Sequence, residues 1–158
     1  MEQKLVPFLL ISVFIFMSSC TISPLPPIQA SFEFSSGGAY HPSGFGEWQI
    51  KLQEEGKLSI THDLAGKVTE YGPYQLTEEK KRDFWELITA IDLPGLESSQ
   101  RPGNPDEVRY TFVLKDRSGE HRTEIWISDA LSDSHILALV EYITSLIESY
   151  TKQKPVIK

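Results

Sequence analysis

The fold is decided by the stretch VRYTFVLKDRSGEHRTEIWI at residues 108–127. Apolar side chains occupy every second position of its first half, at Val108, Tyr110, Phe112 and Leu114. A period of two is that of a strand with one buried face. The polar run at 116–119 predicts a turn, and Ile125 and Ile127 are expected on the returning strand. The stretch therefore predicts an antiparallel hairpin.

Two other segments carry the helical period. Before the hairpin, apolar residues recur at helical spacing at Phe84, Leu87, Ile88 and Ile91. Thr77 is a suitable N-cap for this helix, and Pro94-Gly95 is a suitable stop. After the hairpin, Asp133 and Ser134 are expected to begin a second helix. Its wide apolar stripe consists of Ile136, Leu139, Val140, Ile143, Leu146, Ile147 and Tyr150.

Shorter runs before the first helix predict more strands. In Ser31-Phe32-Glu33-Phe34-Ser35, two aromatic residues alternate with polar ones. Residues 48–52 and 58–60 continue the alternation and predict a second hairpin. A further short strand is expected at 68–71, where Gly72-Pro73 stops it.

The predicted order is strand, hairpin, helix, hairpin, helix, which indicates an α+β fold. We expect a mostly antiparallel sheet with both amphipathic helices on one face. The domain spans residues 31–150, and residues 151–158 are expected to be a disordered tail. The other sheet face is then partly open and carries Trp126. Two interpretations of Trp126 stay open, a ring covered by a loop or by the N-terminal strand and an exposed binding anchor, and the first is favoured.

Residues 1–19 resemble a bacterial lipoprotein signal peptide. A largely apolar run of thirteen residues, 5–17, leads through Ser18 and Ser19 to Cys20, the single cysteine of the chain. This run is too short for a bilayer core, which needs roughly 20 residues. Cys20 is therefore expected to be lipidated; the alternative is a free thiol after an ordinary secretory signal. A lone thiol is a liability in an oxidising compartment, which favours the lipid.

Residues 20–30 contain three prolines and are expected to form a lipid-anchored spacer. An extended polyproline segment of this length holds a domain up to roughly 30 Å from the bilayer. The predicted location is the bacterial cell envelope, with the domain facing outside the cytoplasm. Thr21 stands where an acidic residue is often linked to inner-membrane retention, which favours the outer membrane if the host is Gram-negative.

Composition excludes several classes of function. The formal net charge of −7 argues against nucleic acid as a partner. The four histidines have no metal-ligand spacing, and no second cysteine is present to join them. The chain also has no nucleophile elbow and no phosphate-binding glycine loop of the required form. We expect no enzyme activity, no metal and no cofactor.

The segment at 35–46 is the most unusual feature of the mature chain. Four glycines and a proline punctuate three ring-bearing residues. The candidate contact residues in it are Gly37, Gly38, Tyr40, His41 and Phe45. Glycine lets a backbone approach another molecule closely, and rings offer contact area with little entropy to lose. A protruding recognition loop and an ordinary wide hairpin turn both fit this composition.

The chain resembles the emfourin family, small bacterial inhibitors of protealysin, which is a thermolysin-type metalloprotease. In chain order, the matching segments are Phe32-Glu33-Phe34-Ser35-Ser36-Gly37-Gly38, Leu76-Thr77-Glu78-Glu79, Asp92-Leu93-Pro94, Pro105-Asp106, the strand at 110–114 and the closing amphipathic helix. The resemblance implies an inhibitor that contacts its protease through the Gly37-Gly38 loop. This chain departs from the family in the extra residues 40–44 and in the lipid anchor.

Two functions follow from these observations. In the first, the domain is a tethered binding module that blocks or senses an extracytoplasmic metalloprotease, with residues 37–46 directed toward the active-site cleft. In the second, it is a non-inhibitory envelope lipoprotein that scaffolds an assembly through the open sheet face around Trp126. The lipid bilayer, reached through Cys20, is a partner in both.

Overall fold

A six-stranded antiparallel sheet carries the fold in the computed structural model, which describes residues 30–38, 42 and 45–157. Its strands are β1 (Ser31–Ser35), β2 (Glu47–Gln53), β3 (Lys57–Leu64), β4 (Lys67–Gln75), β5 (Arg109–Asp116) and β6 (Gly119–Trp126). They lie in the order β4-β3-β2-β1-β5-β6. Helix α1 (Glu78–Ile91) lies between β4 and β5 in the sequence, and α2 (Ile127–Ser132) and α3 (Ser134–Thr151) follow β6. The predicted α+β fold is confirmed.

Strand β1 is central and fixes which side chains enter the core. Phe32 lies opposite Leu52 on β2 and Leu114 on β5. Phe34 lies opposite Ile50 and Phe112 in the same way. Because directly opposed residues of antiparallel strands point to the same face, these apolar side chains form one continuous layer. We call this side the helix face and the other side the open face.

Helices α1 and α3 pack together on the helix face, as predicted. The ring centroids of Phe84 on α1 and Phe32 on β1 are 5.3 Å apart, with edge-to-face geometry. Leu139, Ile143 and Ile147 on α3 belong to the same buried cluster. Among the described residues, no helix is long and apolar enough to cross a membrane.

The predicted helix caps are formed. The Thr77 hydroxyl accepts a hydrogen bond from the backbone N–H of Lys80 at 3.3 Å. The Asp133 carboxylate accepts two, from the N–H groups of His135 and Ile136 at 2.8 and 3.1 Å. Each cap satisfies backbone donors that the first helical turn leaves unpaired.

Strand β4 runs on to Gln75, whereas the sequence predicts that Gly72-Pro73 stops it. The register with β3 shifts between Leu58 and Ile60, and the strand continues past the irregularity. Since β4 is an edge strand, paired on one side only, a proline there need not interrupt the ladder.

The prediction that Ile127 lies on the returning strand is wrong. Strand β6 ends at Trp126, and Ile127 is the first residue of the short helix α2. The N–H of Ile127 donates to the carbonyl of Val108 at 3.1 Å, a contact that closes the hairpin beyond its last strand pair. Helix α2 has six residues and one buried side chain, Ala130. It is too short for a helical period of apolar residues to be recognised in the sequence.

The disordered tail expected at 151–158 is also wrong over its described part. Thr151 is the last residue of α3, and the following residues turn back over the helix face. Gln153 donates to the Tyr71 hydroxyl at 2.9 Å, and the Tyr110 hydroxyl donates to the carbonyl of Ile157 at 3.2 Å. Ile157 is only 9% exposed and joins the core. Its burial and these two hydrogen bonds order the segment.

We expect Ile157→Ala to lower the free energy of unfolding by about 2 kcal/mol, because it removes a core side chain. Val156, which is 42% exposed, is the matched control, and Val156→Ala should change stability by less than about 0.5 kcal/mol. Denaturant unfolding of both variants measures the difference. Equal stability of the two would mean that the tail does not contribute to the core.

Candidate functional site

The candidate contact residues that the structure describes lie at one end of the sheet. We call it the loop end: β1 and β3 finish there, and β2 and β5 begin there. Gly37, Gly38, Phe45 and Trp126 are all at this end. Tyr40, His41 and Cys20 lie outside the described residues. The structure therefore brings part of the predicted set together.

Residues 37–46, here named the glycine loop, leave β1 through a closed pair of hydrogen bonds. The N–H of Ser36 donates to the carbonyl of Trp48 at 2.9 Å. The N–H of Trp48 donates back to the Ser36 hydroxyl, also at 2.9 Å. Ser36 is 4% exposed, one of two buried polar residues among those described. This pair fixes the first base of the loop.

The two glycines that begin the loop have different environments. Gly37 has φ +68°, and a Cβ built on it would lie 2.5 Å from the carbonyl oxygen of Arg109. Gly38 has no described atom within 4 Å of its Cβ direction. Gly37 is required by local backbone packing, whereas no described residue occupies the space beside Gly38.

The second base of the loop is held by His62, a residue to which the sequence assigned no role. Its Nε2 lies 2.7 Å from the carbonyl oxygen of Phe45, which accepts the hydrogen bond. The imidazole stacks on Trp48, with centroids 3.9 Å apart and planes 5° from parallel. Phe45 has φ 75°, and its side chain is 41% exposed. The strand alternation that pairs His62 with Trp48 was the available signal for this role.

No protein-family model matches this chain, and no curated protein matches it either. The resemblance to emfourins therefore stays a prediction.

Trp126 is half-buried beneath a long loop, which favours the covered interpretation of this residue. Its indole Nε1 donates to the carbonyl of Arg101 at 2.9 Å. Gly103 packs so closely on the ring that a Cβ there would lie 2.5 Å from it. The Arg109 guanidinium carbon lies 4.1 Å from the ring centroid. The ring is a support for neighbouring groups and not a freely exposed anchor.

An ion-pair network fixes this covering loop, which runs from residue 96 to 108. Arg101 binds both carboxylate oxygens of Glu107, at 2.7 and 3.0 Å, and its Nε donates to Asp129 at 2.9 Å. The Glu107 side chain is only 5% exposed. Hydrogen bonds from Arg101 keep the pKa of Glu107 well below its usual range, and those from Ser99 and Arg101 lower the pKa of Asp129. Both carboxylates therefore stay ionised at neutral pH.

The same loop covers the outer edge of β6. The N–H of Ser99 donates to the carbonyl of Glu124 at 2.9 Å, and the Ser99 hydroxyl accepts from the N–H of Trp126 at 3.1 Å. An uncovered edge strand would present unpaired backbone groups to other chains. The length of this loop is explained by the edge that it covers.

One serine, histidine and aspartate meet in the described residues, at the turn between β5 and β6. The Ser118 hydroxyl lies 2.6 Å from Asp116 and 2.7 Å from Nε2 of His121. Asp116 is 3.9 Å from that same Nε2, so it does not orient the imidazole through the opposite nitrogen, as a catalytic triad requires. This cluster closes an exposed turn. Within 30–38, 42 and 45–157, no group of three or more His, Cys, Asp or Glu side chains is suited to hold a metal ion.

The open face carries a shallow groove of about 460 Å³. It is lined mainly by polar side chains of β1, β2, β3 and β5, among them Ser35, Glu47, Thr61 and Thr111. Glu47 accepts hydrogen bonds from the Ser35 hydroxyl and from Gln49. The groove adjoins the loop end through Glu47, the first residue of β2.

Alanine at the two adjacent glycines should have opposite consequences. Gly37→Ala introduces a side chain at positive φ against the Arg109 carbonyl and should lower the free energy of unfolding by about 1–3 kcal/mol. Gly38→Ala meets no described atom and should cost less than about 0.5 kcal/mol. Thermal or denaturant unfolding of both variants distinguishes them. Equal losses would contradict the different environments of the two glycines.

Proposed function

We propose that this chain is a lipid-anchored extracytoplasmic binding module that inhibits a thermolysin-type metalloprotease through the glycine loop. One observation carries the proposal: both bases of the loop are fixed, by Ser36 and by His62, while Gly38 meets no described residue and Phe45 is 41% exposed. The resemblance to emfourins supports the choice of partner.

A loop with fixed ends loses less conformational entropy on binding than a free one. Gly38 lets partner atoms come close to the backbone, because no side chain keeps them away. The exposed Phe45 ring supplies apolar contact area of the kind that dominates binding energy at interfaces. These are the properties of a recognition loop rather than of a simple hairpin turn.

The proposed anchor is Cys20, followed by the proline-containing spacer at 20–30. A multiply acylated cysteine gains about 0.8 kcal/mol for each buried methylene, so anchoring is firm. The proposed location is the cell envelope outside the cytoplasm, in the outer membrane if the host is Gram-negative.

The uncovered groove on the open face supports a second candidate, a non-inhibitory envelope lipoprotein that assembles with another protein through this face. In that case the partner contacts groove residues such as Thr61 and Thr111. The glycine loop would then be dispensable for binding.

We expect the fragment 21–158, which contains the whole core from Phe32 to Ile157, to inhibit a protealysin-like protease stoichiometrically. Peptide hydrolysis in the presence of increasing fragment measures this. Deleting residues 40–43 should relieve the inhibition, because it removes the part of the loop beyond its fixed bases. Phe45→Ala should weaken inhibition about tenfold, because it removes an exposed aromatic contact.

Leu131→Ala is the matched control, since Leu131 is exposed to the same 41% as Phe45 but lies on α2. This variant should inhibit as the unmodified fragment does. Full activity at micromolar fragment would remove the inhibitor proposal. Binding that survives the loop deletion and is lost on changing Thr61 and Thr111 would favour the assembly function.

Replacing Cys20 by serine in the full chain should abolish lipid attachment and move the protein from the membrane fraction to the soluble one. Metabolic labelling with an alkyne fatty acid measures attachment, and fractionation measures location. A Ser19→Ala variant, which keeps a small residue before the cysteine, should still be labelled. Labelling of Cys20→Ser at the unmodified level would refute the anchor.

A further inference from the structure

Arg109 is the first residue of β5, and its guanidinium lies over the ring of Trp126 on β6. We propose that its guanidinium is a binding site for a carboxylate of the protein partner, a role that rests on the proposed binding function and names the chemistry of the contact. The site is formed by Arg109, the Trp126 ring beneath it and the neighbouring Arg122–Glu124 pair.

The position of Arg109 links it to the loop. Its carbonyl oxygen occupies the space that a side chain on Gly37 would need. Arg109 and Trp126 are also directly opposed in the register of β5 and β6. Arg109 therefore lies at the loop end, with its backbone next to Gly37 and its guanidinium over the adjacent strand β6.

The guanidinium is oriented before any partner arrives. It lies over the Trp126 ring at 4.1 Å, a cation–π contact. The ring itself is fixed by the Arg101 carbonyl and by the close approach of Gly103. Preorganisation of this kind reduces the entropy that binding would otherwise cost.

Arg109 also has hydrogen-bonding capacity to spare. Its one ion pair within the described part of the chain, to Glu124, is long at 3.4 Å, and Glu124 is nearer to Arg122, at 2.8 Å. Arg122 is accordingly the main cause of the lowered pKa of Glu124, with Arg109 contributing less. The Nε of Arg109 is buried and has no acceptor among the described residues, although the side chain as a whole is 38% exposed. An arginine carries five N–H donors, and among the described residues Arg109 uses only Nη1, in its long contact with Glu124.

The charges favour a carboxylate over a phosphate. Arg109 and Arg122 share the single carboxylate of Glu124, which leaves one positive charge. A carboxylate carries one negative charge and matches the guanidinium fork with two parallel hydrogen bonds. A doubly charged phosphate would add repulsion from Glu124 and from a chain whose net charge is −7.

The test uses the ¹⁵N-labelled fragment 21–158 titrated with sodium acetate, with sodium chloride at the same ionic strength as reference. The Arg109 Nε–H and Trp126 Nε1–H resonances should shift saturably with acetate and not with chloride. Arg109→Gln should weaken acetate binding at least about tenfold, because hydrogen bonds to a charged group are lost. The Trp126 resonance reports whether this variant keeps its fold.

Arg109→Lys keeps the charge but removes the fork, and it should also bind acetate more weakly than the unmodified fragment. The control is Arg117→Gln, in the turn at the opposite end of the sheet, which should leave the titration unchanged. Absence of a saturable shift, or tighter binding of sodium phosphate than of acetate, would overturn the carboxylate assignment.

This readout involves no protease, so inhibition without acetate binding would refute this site alone. Acetate binding without inhibition would refute the proposed partner alone.

Discussion

The structure depends on the one-sided burial of β1. Phe32 and Phe34 are 0% and 2% exposed, and both neighbouring strands place their apolar residues in register with them. Because side chains alternate between the two faces, a slip of one residue would move every one of these side chains to the open face. The aromatic layer therefore fixes the register, and the register fixes where Ser35 and Ser36 end the strand. The positions of the glycine loop and of Arg109 follow from that.

The two edges of the sheet are protected in different ways. On β6, the loop from 96 to 108 satisfies backbone groups directly and is fixed by the Arg101–Glu107 ion pair. On β4, Lys67, Pro73 and a register shift make the exposed edge a poor template for pairing. Closing β6 also buries much of Trp126, and the buried ring supports Arg109. The loop that protects the edge of β6 thus also holds the ring on which Arg109 of the candidate binding surface lies.

Sequence patterns predicted the strands, helices and helix caps, which depend on residues close together in the sequence. The periods of two and of 3.6 located the main strands and both long helices, and Thr77 and Asp133 cap the helices as expected. The predictions were wrong where contacts between residues distant in sequence determine the structure. Ile157 is ordered by a hydrogen bond from Tyr110, which lies 47 residues away in the sequence. Helix α2 has six residues and is too short to show a helical period. The cover over Trp126 comes from a polar loop whose partners are also remote in sequence, and Arg101 carries no local signal of its role.

The direction of β1 relates the proposed anchor to the proposed contact. The spacer joins the domain at Ala30, immediately before β1, and the glycine loop begins immediately after the strand ends at Ser35. Strand β1 has five residues, and its four steps of about 3.3 Å separate its first and last residues by roughly 13 Å. The attachment point and the loop end are therefore on opposite ends of the sheet. A domain tethered through Ala30 can turn its loop end away from the bilayer, where Gly38, Phe45 and Arg109 are accessible to an extracytoplasmic protein. The proposed anchor and the proposed contact are compatible because the central strand separates them.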